Sequence, residues 1–186
     1  MPSAKIGSRD EDIIAASWKR CERQHGLVRE TAYPILRLQS SEVAPRLEEM
    51  VERIGGHRGV FRQLAEIAAK AGQCLVLSDT DCILVRVESK DSNRSVFERY
   101  GIALGSCWNE KLAGTNGVAI AMAQSEAYTV CGADHYFSKL HPFACTAVPL
   151  FDADNQMIGA INLAGIDRGN TAEYVFAQKL LDEAAG

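Results

Sequence analysis

Two stretches of this chain combine residue types that could do chemistry. The first runs Cys131-Gly-Ala-Asp-His135-Tyr-Phe-Ser-Lys-Leu-His141-Pro-Phe-Ala-Cys145. Neutral imidazole and thiolate are ligands for zinc and iron, so His135, His141, Cys131 and Cys145 are the candidate metal set. The spacing is not that of a zinc finger, which uses tighter cysteine pairs. In a plainer reading the histidines cap turns or face a polar cavity and the cysteines are core thiols. In a third, His135 and Cys145 are polar anchors of a small-molecule pocket. The second stretch is Gly105-Ser-Cys-Trp108-Asn-Glu110-Lys-Leu-Ala-Gly114-Thr115-Asn116-Gly117. Its glycines allow tight backbone geometry beside a helix start, where free N–H groups can receive an anion or a carbonyl. Trp108 offers a flat wall, and Glu110 and Asn116 offer directional polar contacts. Equally, Asn116 could bond its own backbone in a glycine-bearing loop.

Nucleophilic catalysis would need Cys107, Cys131 or Cys145 activated by His135 or His141, and no single cysteine stands out. The chain has no Gly-x-Ser-x-Gly elbow, no Gly-x-x-x-x-Gly-Lys-Ser/Thr loop and no Gly-x-Gly-x-x-Gly. Each missing motif counts against a serine hydrolase, a P-loop enzyme or a dinucleotide enzyme. The six cysteines are scattered with no Cys-x-x-Cys pair, which suits reduced thiols and a cytoplasmic location. The first 30 residues hold no apolar leader, and no apolar run is long enough to span a membrane. The formal charge is −4, and direct nucleic-acid binding normally shows a basic face. The basic cluster Lys19, Arg20 and Arg23 shares its segment with acidic residues, so it reads as a solvated helix face.

The elements that must position these residues fall into two regimes. Through residue 72 the pattern is helical. Ser8-Arg9-Asp10-Glu11 has capping-box spacing, and Ile13, Ile14, Ser17, Trp18 and Cys21 follow on one stripe that Gly26 can end. A second amphipathic segment carries Val43, Leu47, Met50, Val51 and Ile54 and stops at Gly55-Gly56. A third carries Val60, Phe61, Leu64, Ala65 and Ala68. Beyond residue 72 strands appear. Leu75-Val76-Leu77 and Ile83-Leu84-Val85 flank a turn at Ser78-Asp79-Thr80-Asp81, a hairpin signature. Residues 88–107 form a looser stretch. Thr115 can cap a short helix through Val118, Ala119 and Met122. Tyr128-Thr129-Val130 reads as a strand. Thr146–Phe151 and Met157–Leu163 read as two more, joined by Asp152-Ala153-Asp154-Asn155, and a closing helix follows Asn170. Two hairpins with helices between and around them predict an α+β domain, a largely antiparallel sheet with helices packed on it.

Read together, the motifs resemble a known family. Ile13-Ile14-Ala-Ala-Ser17-Trp18-Lys-Arg20-Cys21 with Gly26-Leu27 resembles the N-terminal segment of the acetoin-catabolism and dihydroxyacetone-operon regulators, which are sigma-54-dependent transcriptional activators. Trp108-Asn-Glu110 with Gly114-Thr115-Asn116 resembles their sensory GAF domain. So do His135-Tyr136, Cys145-Thr-Ala-Val-Pro149-Leu-Phe-Asp152 and Ile158-Gly159-Ala-Ile-Asn-Leu. The run after Asn116 and the Asp at 134 depart from the family pattern. The resemblance implies a GAF-like antiparallel sheet with helices on both faces, as residues 58–186, preceded by an N-terminal helical segment, residues 1–57. It also implies a transcription-regulator sensor that is not an enzyme. Such a module would bind a small polar organic effector through Trp108, Glu110, Asn116, His135 and Cys145, hold no fixed cofactor, and signal through its terminal helices as a homodimer. ATPase and DNA-binding domains would lie in a longer chain or a partner protein. Two other GAF chemistries remain open: a cysteine-dependent reductase of free methionine-R-sulfoxide, and a metal or haem sensor.

Overall fold

Both strand hairpins form where the sequence places them, and each is tied at its tip by the same device. In a computed structural model, residues 8–30, 36–54 and 58–185 are described. β1 (Cys74–Ser78) and β2 (Leu84–Glu88) make the first hairpin, and β4 (Phe143–Phe151) and β5 (Met157–Ile166) the second. At the first tip, Asp79 Oδ1 accepts hydrogen bonds from the backbone N–H of Asp81 and of Ile83, each at 2.9 Å. At the second, Asp152 Oδ1 accepts from Asp154 at 3.1 Å and Gln156 at 2.8 Å. These are Asx turns, in which a short carboxylate takes over backbone donors that the ladder leaves free. With β3 (Tyr128–Cys131) the strands form one antiparallel sheet in the order β2-β1-β5-β4-β3.

Alternation along the strands divides the core into two layers. Cys74, Val76, Phe143, Cys145, Ala147, Ala160 and Ala164 face one way. They are covered by α1 (Ser8–Arg23), α4 (Asp91–Arg99), α5 (Glu110–Ala113), α6 (Gly117–Gln124) and the segment holding Tyr136 and Phe137. Leu75, Leu77, Val148, Leu150, Ile161 and Leu163 face the other way, under α2 (Ser40–Ile54), α3 (Arg58–Lys70) and α7 (Thr171–Ala185). The chain is therefore an α+β domain with helices on both faces of an antiparallel sheet, as predicted.

Three local expectations change. The stretch after Glu88 contains helix α4, whose polar sequence has Phe97 as its buried residue. Asn116, not Thr115, caps α6, because the Asn116 side chain accepts from Ala119 N. The basic cluster on α1 is not wholly solvated: Lys19 and Arg23 are exposed, whereas Arg20 is partly buried against Glu110. The turn at Gly55-Gly56, and with it the proposed boundary after residue 57, lies outside the described residues, as do the side chains of Ser8, Arg9 and Asp10 in the capping box.

Helix α2 crosses both hairpin tips. Arg46 pairs with Asp79 and Asp81 at the first, and Arg53 pairs with Asp152 at 2.6 Å at the second. Seven residues is close to two helical turns, so both arginines leave the same side of α2. Gly159 lets β5 pass close beneath. Its φ is +150°, and a side chain there would collide with the Ser78 carbonyl and with Met50 of α2.

Candidate functional site

The carboxylate of Glu110 is where the N-terminal segment and the glycine-bearing loop meet. Asn109 caps the short helix α5, its side chain accepting from Leu112 N, and this turns Glu110 toward α1. Arg20 then donates to both Glu110 oxygens at 2.7 Å. Ser17 donates to the same carboxylate at 2.6 Å and shares a 2.7 Å hydrogen bond with Thr115. Burial pulls the Glu110 carboxyl upward, but the hydrogen bonds from Arg20 and Ser17 outweigh it and hold the group below the ordinary carboxylate range. Paired bonds to a planar guanidinium are directional as well as strong.

A second set of contacts fixes α1 to the segment before β4. The Trp18 indole donates to the Asp134 carbonyl at 2.9 Å and meets Tyr136 edge-on at 6.3 Å. Tyr136 donates to the Leu27 carbonyl at 2.7 Å, and the Arg29 guanidinium lies 3.9 Å from the Trp18 ring centroid. Residues 8–30 thus roof the layer that holds the predicted site.

The predicted residues are placed as follows. Trp108 is buried and donates to the Gly101 carbonyl at 3.0 Å. Asn116 is fully buried and donates to the carbonyls of Trp108 and Gly114, both at 2.9 Å, while accepting from Ala119 N. Cys145 lies on β4 directly beneath α6. A Cβ added to Gly117 would come within 2.7 Å of the Cys145 carbonyl oxygen. His135 is fully buried, with Nδ1 3.2 Å from the Gly132 carbonyl and no hydrogen-bond partner at Nε2. Burial pushes its pKa down to about 4. Trp108, Asn116 and Glu110 therefore share one loop. The structure commits Asn116 to that loop's own backbone and Glu110 to α1.

The metal candidates do not assemble. Among the described residues no three His, Cys, Asp or Glu side chains converge so as to hold a metal ion. The physical reason is local: His135 turns Nδ1 to a carbonyl, Cys145 is enclosed under α6, and the Cys131 thiol points to Asp134 at 3.9 Å. The thiols are also poor nucleophiles. Burial pushes Cys145 up to about 12 and Cys131 up to about 11, and raises Cys107, so all three are protonated at neutral pH.

A cleft of about 580 Å³ opens beside this arrangement. It is lined by Arg20 and Glu110, by Ala119, Met122 and Gln124 of α6, and by Met157 at the start of β5. Spacing could not have revealed Ser17, Arg20 and Thr115 as parts of the site, because their partners lie some 90 positions away or more. Only the opposite charges of Arg20 and Glu110 hinted at the pair.

Comparison with known proteins gives a consistent picture. Residues 12–180 match the family model described as MimR, N-terminal domain. The acetoin catabolism regulatory protein of Cupriavidus necator is 31% identical over 173 residues, covering 89% of this chain and 25% of that protein. The acetoin dehydrogenase operon transcriptional activator of Bacillus subtilis is 23% identical, covering 81% and 25%. This chain thus spans about a quarter of the length of these relatives. Among solved structures, the E. coli DhaR(N)–DhaL complex matches with a TM-score of 0.79 at 21% identity, covering 93% of this chain and 58% of that one. That likeness shows the fold.

Proposed function

This chain belongs to the MimR N-terminal domain family, and from that premise we propose that it is the effector-sensing domain of a bacterial transcription activator. Its relatives are operon regulators and transcriptional activators. A small polar organic molecule would enter at the cleft beside α1 and bind in the layer between the sheet and the α1 roof. The observation that carries this reading is the double duty of the Arg20–Glu110 pair. It is a wall of the cleft, and it is also the main polar tether of α1. The cleft volume falls in the range of small-molecule sites. A ligand that takes over donors of Arg20 or acceptors of Glu110 changes how firmly α1 is held. It shifts the equilibrium between docked and released α1 by the difference in its affinity for the two.

ATPase and DNA-binding functions would reside in a longer chain or a partner. Self-association is proposed for the opposite face, where Ile67, Ile166 and Phe176 are exposed around a groove between α3 and α7.

The test is a thermal-shift screen of small alcohols, diols, ketones and acids, followed by hydrogen exchange with the compounds that bind. Exchange in residues 8–23 is expected to change on binding, and Glu110→Gln is expected to weaken binding about tenfold, the loss of one charged hydrogen bond. Binding that leaves exchange in α1 untouched would overturn the reading.

A further inference from the structure

Four buried polar side-chain atoms among the described residues have no hydrogen-bond partner: Ser106 Oγ, His135 Nε2, His141 Nε2 and Asn162 Oδ1. Asn162 is the one at the centre of the sheet. It sits on the middle strand β5, opposite Val76 of β1 and Ala147 of β4. Ala160 and Ala164, two residues to either side, belong to the layer under α1 and α6, whereas Ile161 and Leu163 belong to the other layer. By strand alternation the Asn162 side chain therefore faces the layer that holds the site. The residues around it on that face are small: Ala147, Ala160 and Ala164 are all fully buried.

A polar amide in this position is costly to the fold, because a buried acceptor left unmet loses its water and gains nothing in return. An aliphatic side chain would pack among these alanines without that cost. His135 also carries an unmet atom, but its ring lies near Gly132, His141 and Asp167, past the end of β5. With its Nδ1 turned to the Gly132 carbonyl, a neutral ring presents Nε2 as an acceptor. The unmet acceptor of Asn162, facing this layer, calls for a partner that brings donors.

We infer that Asn162 is a recognition residue for the effector, and that the effector is a small molecule carrying hydroxyl or amine hydrogen-bond donors. This rests on the reading of the α1–α6 layer as the sensing site and specifies the chemistry that layer selects. Asn162 stands in the Ile158-Gly159-Ala-Ile-Asn-Leu run.

The experiment uses differential scanning fluorimetry with three donor-bearing probes, ethylene glycol, 1,2-propanediol and ethanolamine, and the acceptor-only ether 1,2-dimethoxyethane as control. At least one donor probe is expected to raise the wild-type Tm beyond the ether. In Asn162→Leu the ligand-free Tm is expected to equal or exceed wild type, and the probe-dependent rise is expected to vanish. Should the leucine variant fail to fold, the Asn162 side-chain amide signals of the wild-type protein give a second reading. They are expected to move with the donor probe and stay fixed with the ether. The inference is overturned if no donor probe exceeds the ether, if the rise persists in Asn162→Leu, or if the amide signals stay fixed. A structural water at Asn162 Oδ1 would produce the second of these outcomes. A rise that is lost in Glu110→Gln and kept in Asn162→Leu removes Asn162 from the site and leaves the sensing reading intact. Binding without any change in α1 exchange removes the sensing reading itself.

Discussion

Glu110 and His135 set opposite demands on the fold, one a charge that must stay and the other a charge that must not form. Glu110 stabilises the docked state while it is ionised. Because its folded pKa lies below its unfolded value, that contribution is complete above the ordinary carboxylate range and is lost as pH falls through the folded value. Glu110→Gln is expected to cost about 1 kcal/mol in urea unfolding at pH 7, since solvent reaches the pair and screens it. His135 acts by staying neutral. Unfolded, its imidazole takes a proton below about pH 6.5; folded, burial delays this to about 4. Stability is therefore complete above pH 6.5 and declines as pH falls toward 4, by up to about 3 kcal/mol. Urea midpoints at pH 7 and pH 4.5 should differ less in His135→Gln than in wild type. The cysteines make a third test at this scale. With thiols raised by burial, iodoacetamide at pH 7.5 should label the native protein slowly, with the partly exposed Cys131 first, and all six cysteines rapidly in urea. Of the residues singled out from sequence, Trp108, Glu110 and Asn116 do stand on one loop. What the sequence could not convey is that Asn116 is consumed by that loop and Glu110 by α1, because both commitments depend on tertiary contacts.

At the level of elements, the legible parts were those with a strong period or a turn signature. Both hairpins, α1, α2, α3 and α7 are visible because their apolar residues recur at the spacing of a strand or a helix. Helix α4 was not, because Asp91–Arg99 is polar on nearly every side and buries only Phe97 among its residues, so it has no apolar stripe to read. The Asp79 and Asp152 turns were read as turns, yet their second oxygens carry a further role, as acceptors for Arg46 and Arg53 of α2. The two roles separate experimentally. Asp152→Asn retains the Asx turn and loses the charge pair, so hydrogen exchange should quicken in α2 alone. Asp152→Ala should quicken it in α2 and in residues 152–156 together. Gly159→Ala tests the close passage of β5 under α2. With a side chain meeting Ser78 and Met50, the variant is expected to lose at least about 2 kcal/mol in chemical denaturation.

For the molecule as a whole, the sheet separates two kinds of surface. One layer is roofed by α1 and holds the proposed site; the other presents apolar side chains of α3 and α7 outward. If self-association uses that outer face, Phe176→Asp should shift the protein to a monomer in size-exclusion chromatography with light scattering and leave the melting temperature nearly unchanged, since Phe176 is 65% exposed. The family was legible because its motifs run through almost the entire chain, while the orientation of side chains within the layers was not, since it depends on register and packing. The α1 roof also has a consequence in time. Its partners, Glu110, Thr115, Asp134 and Tyr136, are translated long after it. At about 5–20 residues per second, a ribosome needs of the order of 5–20 s to travel from Arg20 to Tyr136. Throughout that interval the nascent helix carries Ile13, Ile14, Trp18 and Cys21 without the partners that later cover them, a stretch that invites chaperone capture and sets the docking of α1 well behind its synthesis.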